Sequence, residues 1–304
     1  MRILNFGSLN ADYVYDVEHF VRAGETISSK SLNRYPGGKG LNQSIALSLA
    51  GAEVFHAGQV GRDGRFLVDL LASKGVDTSR IAVDGEASTG HAIIQRDERG
   101  DNCIILHGGA NQSLGEGTIG SAFSGFASGD WLLVQNEVNG LGRIVDAGKR
   151  SGMCIALNPS PADERLSTVD LGAVDLLVLN ELEAAWLCGA RPDAGVATLE
   201  RILGERFPHA TTVLTLGKSG SRCIRASEPV VVQESYAVET ADTTGAGDTY
   251  TGYLLAGIVE GEPIEVAMRR AAAASAIAVT RPGAATSIPT RYEVEAFISE
   301  REER

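Results

Sequence analysis

Short apolar runs separated by amphipathic stretches recur along most of the chain. The runs at 3–7, 54–59, 131–135, 154–158, 176–179 and 212–216 are nearly continuous in apolar residues. Such runs predict strands buried on both faces. Between them, helical spacing of apolar positions predicts helices at 41–50, 66–74, 141–149, 181–187 and 196–205. Alternation of this kind predicts a parallel sheet covered by helices on both sides. The last third changes character, with helical stretches at 251–260, 264–280 and 292–300.

Two pairs of short strands interrupt the alternation. One joins 12–17 to 31–35, the other 90–96 to 103–107. The second pair is linked by Asp97-Glu98-Arg99-Gly100-Asp101, a polar turn containing glycine. Both are expected outside the main sheet, as a small lid of about 12–36 and 90–108 within one domain of 1–304. Trp131 and Trp186 are expected in the core. The charged tail 299–304 is expected to fray as a solvated helix end.

Charge narrows the partners. The 39 acidic and 27 basic side chains in 304 residues give a net charge of −12. A phosphate backbone needs a basic stripe, so nucleic acid is excluded as the main partner, and anionic membrane is disfavoured. The start reads as a strand rather than a signal peptide, and 271–279 is too short to cross a bilayer. Cys103, Cys154, Cys188 and Cys223 are scattered without metal-binding spacing, so reduced, mostly buried thiols and a cytoplasmic location are expected. The histidines show no metal spacing, and no serine sits in an acyl-transfer motif.

Glycine is in excess, at 36 residues or about 12% of the chain against a usual value of roughly 7%. One cluster is Pro36-Gly37-Gly38-Lys39-Gly40, followed by Leu41-Asn42-Gln43 and an Ala/Leu-rich helix. Bare backbone before a helix lets a ligand approach unpaired N–H groups, and a plain loop has the same composition. The second cluster is Asp242-Thr243-Thr244-Gly245-Ala246-Gly247-Asp248-Thr249. Gly245, Ala246 and Gly247 at a helix N-terminus make an anion hole suited to a transferring phosphoryl group. Asp248 either takes a proton from a hydroxyl nucleophile or merely caps the helix.

Taken together, these motifs resemble the PfkB carbohydrate kinases, above all the branch that phosphorylates D-ribose. Further matching pieces are Gly7-Ser8-Leu9-Asn10-Ala11-Asp12, Asn158-Pro159-Ser160-Pro161-Ala162, Asn180-Glu181-Leu182-Glu183 and Thr215-Leu216-Gly217-Lys218-Ser219-Gly220. They occur in order over nearly the whole chain. The resemblance implies a three-layer α/β/α sandwich with a small β-sheet lid, and transfer of the γ-phosphoryl group of ATP to the sugar O5 hydroxyl. It implies that Asn10, Asp12, Gly38, Lys39, Asn42 and Glu137 hold the sugar and that Asp248 is the base. It places Asn180 and Glu183 by magnesium and the phosphates, with Thr215, Gly217, Gly220 and Gly247 at the nucleotide.

The same resemblance implies a potassium ion beside the anion hole, held by Asp242 and Thr244, the carbonyls of Ala278, Arg281 and Gly283, and Ser287. It also implies a homodimer through the lid. Two positions depart from the pattern: Leu41 stands where alanine is usual, and Ala272 where some relatives carry histidine by the adenine. Tyr13 and Tyr15 either reshape the sugar pocket or lie on the other face of their strand. Other acceptors (another pentose, a ketohexose, a nucleoside) and a non-catalytic sugar sensor are the competing readings.

Overall fold

Residues Ile3–Phe6 form strand β1, buried along its whole length. Its side chains divide between two cores, Ile3 entering one while Leu4 and Phe6 enter the other. A period of two delivers successive side chains to opposite faces, so a strand apolar at both needs helices on both sides. The computed structural model, which describes residues 1–302, supplies them. Along the chain follow β2 (Asn10–Asp16), β3 (Ser31–Gly37), α1 (Lys39–Leu49), β4 (Val54–Gly61), α2 (Arg65–Ser73), β5 (Asp77–Asp84), β6 (Gly90–Arg96) and β7 (Asn102–His107). Then come α3 (Glu116–Ala122), β8 (Trp131–Gln135), α4 (Leu141–Arg150), β9 (Cys154–Asn158), β10 (Leu176–Asn180), α5 (Glu181–Cys188) and α6 (Val196–Arg206). The remainder is β11 (Thr211–Thr215), β12 (Ser221–Ile224), β13 (Val231–Gln233), α7 (Ala246–Glu260), α8 (Ile264–Ala278) and α9 (Arg291–Glu302).

The main sheet has nine strands in the order β13-β12-β11-β10-β9-β8-β1-β4-β5. From β11 to β5 every pairing is parallel, and only the β11–β12 and β12–β13 pairings at one edge are antiparallel. Ile45 of α1, Leu254 of α7, Ala271 of α8 and Val294 of α9 fill one core. Ile144 of α4, Leu187 of α5 and Leu203 of α6 fill the other. This is the expected three-layer sandwich. The two expected strand pairs form a separate four-stranded sheet, β3-β2-β6-β7, in which β2 joins β6 in parallel.

Several expectations need correcting. Strands β5, β12 and β13 and helix α3 were not foreseen. β5 is a half-exposed edge whose sequence, Asp-Thr-Ser-Arg-Ile-Ala-Val-Asp, has an apolar run of only three residues, and β12 and β13 have four and three residues. Helix α7 starts at Ala246 rather than 251, because Gly245 adopts φ 74° and turns the chain into the helix there. Trp186 is 43% exposed rather than in the core. All four cysteines are free, and only Cys223 is buried, its thiol pushed up to about 11 by that burial; Cys103 is exposed. The expected frayed tail is helical to Glu302, which Arg269 holds at 2.6 Å, and its last two residues lie outside the described residues. Among the described residues no helix is long and apolar enough to cross a membrane.

Candidate active site

Parallel strands bring whatever follows them to one edge of the sheet. The last residues of β9 and β10, Asn158 and Asn180, and the segments after β1, β8 and β11, with Asn10, Glu137 and the glycine turn at Gly217, meet in this way. Ligands of open α/β sheets bind at that carboxyl edge. A solvent-open cleft of about 630 Å³ lies there, lined by Lys39, Asn158, Asn180, Glu183, Gly247 and Asp248 among others.

Asp248 lies in the first turn of α7, three residues past the N-cap Gly245, so it is not the helix cap. It is 8% exposed. Both carboxylate oxygens accept from α1, Oδ2 from Asn42 Nδ2 and Oδ1 from Gln43 Nε2, each at 2.9 Å. No side chain caps α7. The Ala246 N–H closes a turn onto the Thr243 carbonyl at 3.2 Å, while Gly245 and Gly247 line the cleft. The expected anion hole therefore has bare backbone at two of its three residues.

The sugar-side residues converge from three elements. Gly38 caps α1 at φ 98°, and a Cβ there would lie 2.8 Å from the Ser8 carbonyl. Lys39 follows, its N–H donating to Glu137 Oε2 at 3.1 Å. Ser8 also donates to that carboxylate. Burial pushes the Lys39 ammonium down, but Asp248, Glu137 and Glu183 together outweigh this and raise it. Lys39 lines the same cleft as Asp248 and the glycines. Asn10 is 6% exposed, and its Oδ1 accepts from Asn111 Nδ2 at 2.7 Å. Asp12 packs against Gly37, where a Cβ would lie 2.1 Å from its Oδ2. Burial, and then the neighbouring Glu137 carboxylate, push Asp12 up to about 6. Asn42 Oδ1 is buried without a hydrogen-bond partner.

Tyr13 and Tyr15 alternate with Asp12 on β2 and so lie on the opposite face of the lid sheet, where Tyr13 packs edge-on to His91. Leu41 is fully buried among core residues, and Ala272 is buried as well.

Asn180 and Glu183, expected by the magnesium and phosphates, form a capping box on α5. Asn180 Oδ1 accepts from the Glu183 N–H at 2.9 Å, and Glu183 Oε2 from the Asn180 N–H at 3.0 Å. Glu183 remains in the cleft wall. Thr215 ends β11, with Oγ1 3.3 Å from the Leu179 carbonyl. Gly217 and Gly220 shape the turn to β12, and Gly220 must be glycine because a Cβ would lie 2.1 Å from the Gln233 carbonyl.

The expected potassium ligands come from two loops tied by one carboxylate. Asp242 Oδ1 accepts from Thr244 N–H and Oγ1 at 2.9 and 2.7 Å, and Oδ2 accepts from Gly283 N–H at 2.9 Å. These bonds outweigh burial and hold Asp242 below its ordinary value. The Ala278 carbonyl accepts from Arg281 N–H, Ser287 donates to the Ala284 carbonyl, and the Arg281 guanidinium pairs with Glu293 at 2.6 Å. Among the described residues no cluster of three or more His, Cys, Asp or Glu side chains stands ready to hold a metal alone.

Sequence reasoning assigned no role to Gln43, Asn158, Gln135 or Asn111. Gln43 and Asn158 lie inside the motif pieces that carry the resemblance, and for Gln135 the signal is a polar residue ending an apolar strand.

A family model described as pfkB family carbohydrate kinase matches residues 2–291. The chain belongs to the pfkB family of carbohydrate kinases. This kinase is 34% identical to the ribokinase of Haemophilus influenzae over 297 residues, 96% of each chain. Its fold superposes on a ribokinase from Cryptococcus neoformans in complex with ADP at TM-score 0.87 and 31% identity, over 97% of this chain and 99% of that one. Arabidopsis thaliana ribokinase complexed with ribose and ATP gives TM-score 0.85 and 28% identity, over 98% of both chains. The chain is a phosphotransferase acting on a sugar hydroxyl.

Proposed function

We propose that the kinase transfers the γ-phosphoryl group of ATP to the O5 hydroxyl of D-ribose, with Asp248 as general base. One observation carries this reading. The Asp248 carboxylate sits where the sugar-side helix α1 meets the bare backbone of Gly245 and Gly247, oriented by Asn42 and Gln43. A base there can take the hydroxyl proton as the oxygen attacks phosphorus, while N–H groups and Lys39 stabilise the charge on the phosphoryl oxygens. Asn10, Asp12, Gly38, Asn42 and Glu137 would pair the sugar hydroxyls, and the lid sheet would exclude water that competes as nucleophile. Thr215, Gly217 and Gly220 would line the nucleotide.

A coupled assay of ADP release over pentoses, ketohexoses and nucleosides tests the reading. Ribose should lead, and Asp248→Asn should bind ribose and lose about 10²-fold or more in kcat. A lead by a ketohexose or nucleoside would overturn the acceptor, and a flat panel would leave a sugar sensor. Near-normal turnover in Asp248→Asn would overturn the base.

Magnesium fits the donor set as an ion held mainly by phosphates and water, since Glu183 and Asn180 offer oxygens but no closed cage. When bound it would neutralise charge on the phosphates. Potassium fits the oxygens of Asp242, Thr244 and Ser287 and the carbonyls of Ala278, Arg281 and Gly283, where it would steady the Gly245 loop. Activity should rise when potassium replaces sodium, and equal rates remove the proposal.

A homodimer through the lid is supported by β7, an edge strand whose Ile104, Ile105 and Leu106 are 54, 62 and 59% exposed. A bare apolar edge is a template for pairing, and a second copy carries the same edge. Sedimentation should give a dimer for the wild type and a monomer for Ile105→Asp, and a monomeric wild type refutes it. The free thiols suit a reducing cytoplasm, which fractionation of cells checks.

A further inference from the structure

Behind Asp248 runs a chain of buried polar side chains outside the lining of the cleft. Asn5, Gln43, Ser44, His56 and Gln135 are each 0% exposed. Polar groups in such a place are costly unless they pair with one another. Gln43 Nε2 donates to Asp248 Oδ1 and to Asn158 Oδ1, both at 2.9 Å. Gln43 Oε1 accepts from Gln135 Nε2 at 2.7 Å, and the same Gln135 NH2 group donates to Asn5 Oδ1 at 2.9 Å. Asn5 Nδ2 donates to the Gly40 carbonyl and to Ser44 Oγ, both at 2.8 Å, and Ser44 Oγ lies 2.8 Å from His56 Nδ1.

A primary amide turned end for end exchanges its donor for its acceptor with almost no change of shape. Only a neighbour that cannot reverse decides its direction. Two backbone carbonyls do so here, and the Asp248 carboxylate, which only accepts, does the same for Gln43. The Gly40 carbonyl only accepts, so Asn5 turns its NH2 group to it and its oxygen to Gln135. Gln135 must then donate to Asn5 and, with its second hydrogen, to Gln43; its own Oε1 is left buried without a partner. Gln43 answers with its oxygen, which turns its NH2 group onto Asp248. From the other end, Asn158 Nδ2 donates to the Val178 carbonyl at 2.9 Å, so Asn158 offers Gln43 an oxygen. Both ends impose the same direction.

We infer that Gln43 and Gln135 are positioning residues for Asp248, joined in a relay of buried amides whose direction the Gly40 and Val178 carbonyls and the Asp248 carboxylate all impose. The inference rests on the reading of Asp248 as the base. Reversed, Gln43 would press an oxygen against Asp248 Oδ1 and turn the carboxylate away from the hydroxyl it serves.

Four variants test it, each measured for kcat, both KM values and Tm. Gln43→Met removes the donor and should lower kcat about 10²-fold with ATP KM unchanged, the loss expected from a misplaced catalytic group. Gln135→Met touches neither Asp248 nor the cleft, yet strips Gln43 Oε1 of its donor and loosens the amide that holds the carboxylate; it should lower kcat about tenfold with ATP KM unchanged. Ser44→Ala leaves the Gly40 anchor in place and should lower Tm while keeping kcat within about twofold. Full kcat in Gln135→Met, or kcat losses that merely follow Tm across the three, overturns the relay. If Gln43→Met does not fold, Gln135→Met and Ser44→Ala still decide. Asp248→Asn separates the two readings. Lost turnover there beside normal kcat in Gln135→Met overturns the relay alone, and retained turnover in Asp248→Asn overturns the base and the relay with it.

Discussion

Replacing Asp12 by asparagine should abolish a pH dependence of stability that the wild type carries. Burial of its carboxyl group, reinforced by Glu137, raises Asp12 from 3.8 to about 6. The folded chain therefore holds this proton more tightly than the unfolded chain. Stability from such a group is fully present below 3.8 and is lost as pH rises through about 6. A gap of about two pH units is worth ~3 kcal/mol, of which ~2 kcal/mol falls between about pH 4.5 and about pH 7.5. Urea unfolding of wild type and Asp12→Asn across that range gives the quantity as a difference, in which most other titrating groups cancel. The wild type should gain ~2 kcal/mol on the variant as pH falls. A flat difference, or one of opposite slope, refutes burial as the controlling effect. The same proton should appear in kinetics. At about pH 5 only about one-tenth of the free enzyme carries ionised Asp12, so sugar KM should rise about tenfold over its value near pH 8, with ATP KM unmoved.

Gly245→Ala puts a side chain at φ 74° with its Cβ 3.0 Å from that of Ala284. It should cost ~1–3 kcal/mol of stability and lower kcat as the loop shifts, read by melting and by turnover. A variant with unchanged kcat would show that the loop backbone does not need this conformation. Asn180→Ala removes the capping box of α5 and should cost ~1 kcal/mol in denaturant unfolding. An unchanged midpoint would show that the cap is redundant.

Much of this fold was legible along the chain because its causes are local. Strands β1, β8, β9 and β10 are short apolar runs, and a strand buried on both faces can hardly be anything else. The loops at Gly38 and Gly245 were legible because positive φ is cheap only for glycine. Strand β5 escaped because an edge strand needs apolar residues on part of one face only, and its half-exposed pattern imitates a loop. Trp186 escaped because the spacing of helix α5 does not reveal which of its faces a neighbour covers.

The sequence by itself determined the layered architecture, the two glycine turns and the carboxylate beside the second of them, since each depends on residues close together in the chain. The tertiary structure alone decided what that carboxylate touches. Gln43 meets Asp248 across 205 positions, and Gln135 meets Asn5 across 130. Contacts at such separations follow from strand order and register, which depend on the packing of the whole sheet. The direction of each amide is less local still. An asparagine or glutamine reads the same whichever way it points, and here the carbonyls of Gly40 and Val178 and the Asp248 carboxylate, brought together by the folded backbone, give the relay one direction.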